Sequence, residues 1–216
     1  MEPKRPEVNT TRTYDSRRRR EQARQTHEAI VDVARHRFLT EGFGSTTMTA
    51  IAAEVGVSVD TIYKGFGGKT GLVRAICEQA LAGAGPVHAE ARSDALHGSE
   101  TDPKNIIRGW GALTTEVAPR IAPVLLLVRD AATTDPDMAG LKSDLDLQRL
   151  ERMTDNAHHL AVGGHLRPGI DEHTAGEILW AYSSPEFYEL LVLTRSWTLE
   201  RYGTFIADAL IAALLE

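Results

Sequence analysis

Cysteine and long apolar runs are both nearly missing from this sequence. A single cysteine, Cys77, stands among 216 residues, which excludes an intrachain disulfide and any zinc site built from several thiolates. The longest apolar run worth noting, Val124 to Val128, is far short of the ~20 residues that span a bilayer. The N-terminus also lacks the apolar stretch of an export signal. We therefore expect a cytoplasmic protein that does not enter a membrane.

Alternating apolar and polar stretches bounded by turn residues, which are typical of strands, are missing as well. The apolar residues recur instead at helical spacing over most of the chain. Hydrophobic residues make up 42% and charged residues 25% of the composition, which is ordinary for a globular protein with a core. The sequence therefore predicts an all-α fold of one large or two small domains.

Charge is distributed unevenly along the chain, whose net charge is −6. Residues 1–74 hold 13 Lys and Arg against 9 Asp and Glu, whereas the remaining residues hold 11 against 21. Such asymmetry indicates that the N-terminal part meets a polyanion. The acidic remainder would be repelled by the same polyanion and would help to orient the molecule.

The first third of the chain divides into a polar arm and a group of helices. Residues 1–16 are polar and contain proline, so we predict a disordered basic arm there. We assign residues 17–84 to the first domain, with Gly42 ending its first helix. Its helices are predicted at residues 17–41, 48–55, 59–66 and from Lys69 onward.

The segment 83–101 shows no clear periodicity, and we place a domain boundary or a long loop there. Residues 102–216 then form a second helical domain. Proline at the first helical position marks the helix starts at Pro136 and Pro185. The predicted helices of this domain cover residues 103–117, 119–134, 136–162, 171–183, 185–196 and 199–215.

Gly68-Lys69-Thr70 in a glycine-rich neighbourhood suggests a nucleotide-binding loop. That loop requires G-x-x-x-x-G-K-[ST], because the first glycine lets backbone amides wrap the phosphates. Counting back from Gly68, the first position is Tyr63, and no run of Val and Ile typical of a buried strand precedes it. The motif is incomplete, and a nucleotide-dependent enzyme using these residues remains an alternative function.

A short helix, a glycine turn and a second short helix follow one another at residues 47–55, 56–58 and 59–66. This order is the helix-turn-helix signature, and the second helix of such a unit presents its N-terminal residues to the DNA major groove. Thr47 and Ser58 can cap the two helices.

Here the sequence resembles the TetR family of transcriptional repressors over about 50 residues, in a match far more specific than a generic helix-turn-helix. The resemblance implies an N-terminal three-helix DNA-binding domain and a C-terminal helical domain for effector binding and dimerisation. Its landmarks are Ala34, Phe38, Gly42, Phe43, Thr47, Ile51, Ala52, Gly56, Val57, Ser58, Tyr63, Phe66, Lys69 and Leu72.

The resemblance also implies which residues touch double-stranded DNA. The implied phosphate contacts are Thr47, Tyr63 and Lys69. The implied groove-lining residues are Ser58, Val59, Asp60, Thr61 and Lys64. Hydroxyl groups and a lysine beside a helix N-terminus suit phosphate, whereas a lysine in the groove can reach guanine acceptors.

Two positions depart from the family pattern. Asp60 stands where the family has a small residue; it could accept a hydrogen bond from a cytosine amino group or favour the helix dipole. Gly65 stands where the family often has a polar residue, which puts one phosphate contact in doubt. The run Arg17, Arg18, Arg19 and Arg20 is either a solvated helix start or a basic arm that reaches DNA.

The second domain is similar to the family only in layout, which implies a homodimer formed by its last helices. Residues of these helices that belong to either the interface or the core are Leu190, Leu193, Phe205, Ile206 and Leu210. Aromatic residues with a few polar groups are typical of ligand pockets, although they also occur in cores. Candidate residues for a small, largely apolar effector are Trp110, Leu113, Leu126, Arg129, Trp180 and Phe187.

Catalytic and metal-binding signatures are missing from this sequence. His158 and His159 are adjacent, whereas a helical zinc pair needs a spacing of three or four residues, so we expect no metal, no cofactor and no enzymatic activity. The sequence predicts a ligand-responsive repressor that binds a palindromic operator as a homodimer. A regulator of the same fold that responds to a protein partner is a further alternative.

Overall fold

The computed structural model describes residues 10–82 and 87–216, with side chains from residue 17 onward. Within these residues the regular structure is entirely helical and contains no strand, which confirms the all-α prediction. The helices are α1 (Thr10–Glu41), α2 (Met48–Val55), α3 (Val59–Phe66), α4 (Lys69–Ala82), α5 (Ala89–Ser99), α6 (Pro103–Ala131), α7 (Pro136–Val162), α8 (Glu172–Tyr182), α9 (Pro185–Tyr188) and α10 (Leu199–Leu214). A π-helical segment, Glu189–Thr194, continues α9.

Helices α1 to α4 share one hydrophobic core. Ile30, Ala34 and Phe38 follow each other every four residues on α1 and are almost completely buried, as an amphipathic helix requires. Helix α1 begins at Thr10, seven residues before the predicted start, so the structured region includes part of the segment predicted to be disordered. Residues 1–9 of that segment lie outside the described residues.

Helix α6 is continuous through Pro119 and Pro123, whereas the sequence predicted two helices, 103–117 and 119–134. Proline removes one backbone hydrogen bond and strains the preceding turn, which is why a break was expected. Packing outweighs this cost: the first turns of α6 are buried in the second domain's core and its last turns in the core of α1 to α4. This helix therefore joins the two cores.

The segment 83–101, predicted as a domain boundary or a long loop, contains helix α5. Only Ala89 and Ser93 of this helix are buried. Because so few of its residues face a core, its sequence lacks the apolar periodicity from which a helix can be predicted. Helices α7, α8 and α10 agree with the prediction within two residues. The predicted helix 185–196 is divided, because its second half is π-helical.

One described helix, Pro103–Ala131, is long and apolar enough to cross a membrane by length and composition alone. Core helices of soluble proteins have the same length and composition. Here the helix contacts α4, α7 and α10 along its length.

Candidate nucleic-acid interface and interior cavity

The helix-turn-helix is held by side-chain caps at both helix starts. Thr47 Oγ1 accepts a hydrogen bond from the Ala50 amide at 3.1 Å, and Ser58 Oγ accepts one from the Thr61 amide at 3.1 Å. Gly56 ends α2 in the left-handed region, with φ of 78°, a conformation that glycine adopts without steric cost. The caps and the glycine fix the angle between α2 and α3.

Helix α3 turns one face to the core and the other to solvent. Ile62 is completely buried and Phe66 is partly buried against the same core. The predicted groove-lining residues lie on the exposed side, with Val59 half-buried at its edge. Tyr63 is 50% exposed, so its hydroxyl is accessible to a phosphate. The predicted DNA contacts on α3 are therefore accessible to solvent, as is Thr47 before the start of α2.

Asp60 and Lys64 form an ion pair on the exposed side of α3. Lys64 Nζ lies 2.7 Å from Asp60 Oδ2, one helical turn away. Both side chains are largely solvent-exposed, so the pair contributes little to folding stability. In this arrangement the Asp60 carboxylate holds the Lys64 side chain along the exposed face of α3.

Lys69, the first residue of α4, is engaged within the domain. Its ammonium donates a hydrogen bond to the Phe43 carbonyl oxygen and lies 4.2 Å from the centroid of the Phe43 ring. Burial lowers its pKa. A lysine ammonium has three donors, so the bond to Phe43 leaves donors for a phosphate at the start of α4.

Gly71 was not singled out by the sequence, yet it sets the packing between α3 and α4. A Cβ atom at this position would lie 1.7 Å from the Phe66 carbonyl oxygen, well inside van der Waals contact. Only glycine therefore lets the first turn of α4 approach the end of α3. The Gly68-Lys69-Thr70 stretch lies in this elbow between two helices, whereas a phosphate-binding loop of the nucleotide type follows a strand.

Arg17, Arg18, Arg19 and Arg20 lie in α1 and are exposed. The next arginine along the helix, Arg24, pairs with Glu21 at 2.6 Å and with Glu28 at 2.5 Å. The four arginines thus extend a helix instead of forming a loose arm. They add positive charge at the N-terminal end of α1.

A cavity of about 290 Å³ lies between α4, α5, α6, α7, α8, α9 and α10. Of the predicted effector residues, Trp110 and Leu113 line this cavity. Leu81, near the end of α4, also lies in its wall. The cavity is therefore bordered by the same helix that begins at Lys69.

A neighbouring cavity of about 400 Å³ is lined by three other predicted effector residues, Arg129, Trp180 and Phe187. Its wall is charged, and Arg129 there binds both carboxylate oxygens of Glu189, at 2.7 and 3.1 Å. Leu126 is buried and lines neither cavity. The wall of the 290 Å³ cavity is mainly apolar with a few polar groups, as is typical of pockets that hold small molecules.

Several polar residues of the 290 Å³ cavity were missed at the sequence level: Gln148, Arg149, Arg152 and Asn156. All four lie on α7, where polar residues at helical spacing are typical of a solvated face. Arg149 donates hydrogen bonds to the Trp180 carbonyl oxygen and to Ser183 Oγ. Burial lowers its pKa.

Two tyrosines close the opposite side of this cavity. The rings of Tyr188 and Tyr202 meet edge to face with centroids 5.8 Å apart. Burial raises the pKa of both hydroxyls, that of Tyr202 to about 12. Both side chains are therefore neutral at physiological pH.

The residues predicted as interface or core separate in the structure. Ile206 and Leu210 are buried in the second core, and Phe205 packs against it. Leu190 and Leu193, in the π-helical segment, are 55% and 53% exposed. These two leucines are available for a partner surface.

The two adjacent histidines point to different neighbours. His158 Nδ1 lies 3.1 Å from Glu172 Oε2, while the His159 ring stacks on that of His97 with centroids 4.1 Å apart. Across the described part of the chain, no group of three or more His, Cys, Asp or Glu side chains is placed to hold a metal ion.

Comparison with known proteins agrees with the helix-turn-helix and the all-α fold described above. The family model described as bacterial regulatory proteins, tetR family, matches residues 30–76, the part that carries the helix-turn-helix. A search of curated protein sequences finds no significant match.

Solved structures resemble the chain over nearly its whole length. SmeT, in a complex with triclosan, has a TM-score of 0.69 at 20% identity over 89% of this chain and 92% of its own; it represses the Stenotrophomonas maltophilia multidrug efflux pump SmeDEF. NalD of Pseudomonas aeruginosa, the secondary repressor of the MexAB-OprM pump, has a TM-score of 0.68 at 18% identity over 91% and 98%. A regulator from Saccharomonospora viridis, in complex with choline, has a TM-score of 0.65 at 18% identity over 89% and 98%.

The fold and the exposed helix α3 define a helix-turn-helix protein of the DNA-binding kind. More particularly, its N-terminal domain is a tetR-family domain, and the chain as a whole has the fold of TetR-family transcriptional regulators.

Proposed function

We propose that the protein is a one-component transcriptional repressor that binds a palindromic operator as a homodimer and leaves it when a small, largely apolar molecule binds. One observation carries the proposal: α4 joins the two sites. Its first residue, Lys69, stands beside the recognition helix α3, and Leu81 near its other end lines the 290 Å³ cavity.

Helix α4 has 14 residues, so at 1.5 Å per residue it is a lever of about 20 Å. A molecule that fills the cavity presses on the Leu81 end and displaces the Lys69 end. Arg74, between the two, is tied to Asp144 of α7 at 2.8 Å, so motions of α7 reach the same helix. In a dimer such displacement changes the spacing of two recognition helices, which must match successive major grooves.

Two variants test the DNA-binding surface by gel shift on the DNA upstream of the protein's own gene. Lys64→Ala should alter preference at one base position, because a groove lysine reads base edges. Lys69→Ala should weaken binding to all sequences alike and flatten the salt dependence, because it removes a phosphate contact. If Lys69→Ala leaves affinity and salt dependence unchanged, its phosphate role is wrong.

Filter binding of ATP distinguishes the proposed repressor from the alternative, a nucleotide-dependent enzyme. The proposal expects a gel shift on the upstream DNA and no tight ATP binding. Tight binding of ATP with no shift would refute it.

A thermal-shift screen of small molecules, repeated with operator DNA, distinguishes control by a small-molecule effector from control by a protein partner. Small-molecule control is supported by the cavity and by the triclosan and choline held in two similar structures. A molecule that stabilises the free protein should lower its DNA affinity, because coupling between two sites is reciprocal. Stabilising molecules that never affect DNA binding would favour the protein-partner alternative.

A further inference from the structure

The 290 Å³ cavity contains two buried polar groups that lack hydrogen-bond partners. Trp110 is 8% exposed and Asn156 is 5% exposed, and both line the cavity. Neither Trp110 Nε1 nor Asn156 Oδ1 has a partner. Buried polar atoms are almost always hydrogen-bonded in folded proteins, so an unpaired donor and an unpaired acceptor in one cavity indicate what its occupant provides.

Both groups lie in the same corner of the cavity, beside His97. The His97 ring is 5.4 Å from the Trp110 ring, centroid to centroid, and His97 Nε2 is likewise buried without a hydrogen-bond partner. The nearby Asn156 side chain acts on His97 as a hydrogen-bonding neighbour. Because an amide oxygen accepts two hydrogen bonds, Asn156 Oδ1 can face His97 and still accept one from a ligand.

Burial and the neighbouring His159 lower the pKa of His97 more than Asn156 raises it, which keeps its ring neutral at physiological pH. The hydrogen-bonding groups of that corner are therefore neutral, and the charges that act on it, Arg152 and Asp94, are paired with each other.

The charged side chains of the cavity wall already have partners within the protein or are exposed to solvent. Arg149 donates to Asp146 Oδ1 at 3.3 Å and to Ser183 Oγ at 3.1 Å. Arg152 pairs with Asp94 at 2.7 Å, and Glu90 is exposed to solvent. A charged ligand would have to break one of these pairs or remain desolvated without a partner, which is costly.

We infer that the effector is a neutral, mostly apolar molecule with one hydroxyl group, which accepts a hydrogen bond from Trp110 Nε1 and donates one to Asn156 Oδ1. A hydroxyl is the small group that does both, and it suits either orientation of the Asn156 amide. The apolar remainder lies along the Leu113, Ile121 and Leu179 side of the cavity. This inference names the ligand class of the site and so rests on the proposed function.

Four probes of one ring system test the class by calorimetry: 2-naphthol, naphthalene, 2-methoxynaphthalene and 2-naphthoate. The first both donates and accepts, the second does neither, the third only accepts, and the fourth is charged. We expect 2-naphthol to bind at least about tenfold tighter than each of the others. Equal or tighter binding of any other probe, or no binding of 2-naphthol, overturns the inference.

Variants assign the preference to the two groups. Trp110→Phe removes the donor, and Asn156→Leu removes the acceptor at similar volume; each should reduce the advantage of 2-naphthol over naphthalene to less than about threefold. Matched controls are Trp180→Phe, whose indole already donates to the Asp146 carbonyl oxygen, and Asn105→Leu, an exposed amide on α6 that does not line the cavity. Both controls should keep the full preference.

Thermal unfolding guards against a variant that fails to fold. Because Asn156 Oδ1 is buried without a partner, Asn156→Leu should unfold at a temperature no lower than the wild type. An Asn156→Leu protein that is folded and still prefers 2-naphthol overturns the inference.

A gel shift in the presence of each probe separates the two proposals. Preference for 2-naphthol without release of DNA supports the ligand class and counts against the proposed control of DNA binding. Release of DNA by naphthalene as readily as by 2-naphthol supports that control and overturns the hydroxyl assignment.

Discussion

Gly65 lies in the last turn of α3 and has open space around it. A Cβ atom added there meets no atom within 4 Å, and glycine inside a helix is less stable than alanine by about 0.5–1 kcal/mol. We therefore expect Gly65→Ala to raise the unfolding free energy by about that amount, as measured by urea denaturation.

Gly67, two residues further, is the matched control. Its φ of 76° lies in the left-handed region, where a side chain costs about 1–2 kcal/mol. Gly67→Ala should therefore destabilise the protein. Opposite signs for the two variants are expected, and a loss of stability in Gly65→Ala would contradict the packing described for α3.

Cys77 provides an internal reporter of unfolding. Its side chain is 1% exposed, and burial raises the pKa of the thiol to about 12. The reactive form of a thiol is the thiolate, so the folded protein should react with iodoacetamide at least about 100-fold more slowly than free cysteine. Mass spectrometry gives the labelled fraction over time. Labelling of the native protein as fast as free cysteine would show that this core opens readily.

At the scale of elements, the crossing of α6 and α10 depends on two glycines. A Cβ atom on Gly111 would lie 2.6 Å from the Gly203 carbonyl oxygen, and one on Gly203 would lie 2.5 Å from the Gly111 carbonyl oxygen. The backbones of the two helices therefore touch, and no small shift of a flexible side chain can make room.

We expect Gly111→Ala and Gly203→Ala each to destabilise the protein by about 1–3 kcal/mol, the usual cost of overpacking a core. Gly140→Ala on α7 is the control, because an added Cβ meets nothing within 4 Å there. Denaturation by urea measures all three. A neutral effect at Gly111 would mean that the helices separate at low cost.

The sequence was informative about elements where the signal is local. Caps and glycines predicted α2 and α3 at the bounds that the structure shows, because capping depends on neighbouring residues. The sequence-based prediction of helix bounds was wrong where tertiary packing determines them. Helix α6 continues through Pro119 because its two ends are buried in two different cores, most of whose other residues are distant from α6 in the sequence. The π-helical turn of Glu189–Thr194 likewise has no sequence signal that we can identify.

The candidate sites differ in the same way. The predicted DNA contacts belong to one contiguous stretch, so a local motif was sufficient to select them, and most of their side chains are exposed. The cavity is assembled from seven helices, α4 to α10, and its polar residues on α7 have the spacing of a solvated surface. The search for aromatic residues in the sequence therefore identified Trp110, which lines this cavity. It also selected Trp180 and Phe187, which line the neighbouring cavity instead.

At the scale of the whole molecule, the uneven charge along the chain is consistent with the proposed binding to DNA. The N-terminal 74 residues carry an excess of Lys and Arg, and the rest an excess of Asp and Glu. In the proposed complex this polarity would keep the second domain away from the duplex. Its exposed apolar residues are then free to meet a second copy.

Leu190 and Leu193 are the residues on which we expect the homodimer to depend. They are large, apolar and more than half exposed, beside α10, and carboxylates there would be desolvated in an interface. The double variant Leu190→Glu with Leu193→Glu should sediment as a monomer and bind palindromic DNA at least about tenfold more weakly, a loss of ~1.4 kcal/mol or more. Leu147→Glu on α7 is the control, since Leu147 is 56% exposed outside the proposed interface helices. Circular dichroism should show unchanged helix content in both, and a double variant that stays dimeric with full DNA affinity would place the interface elsewhere.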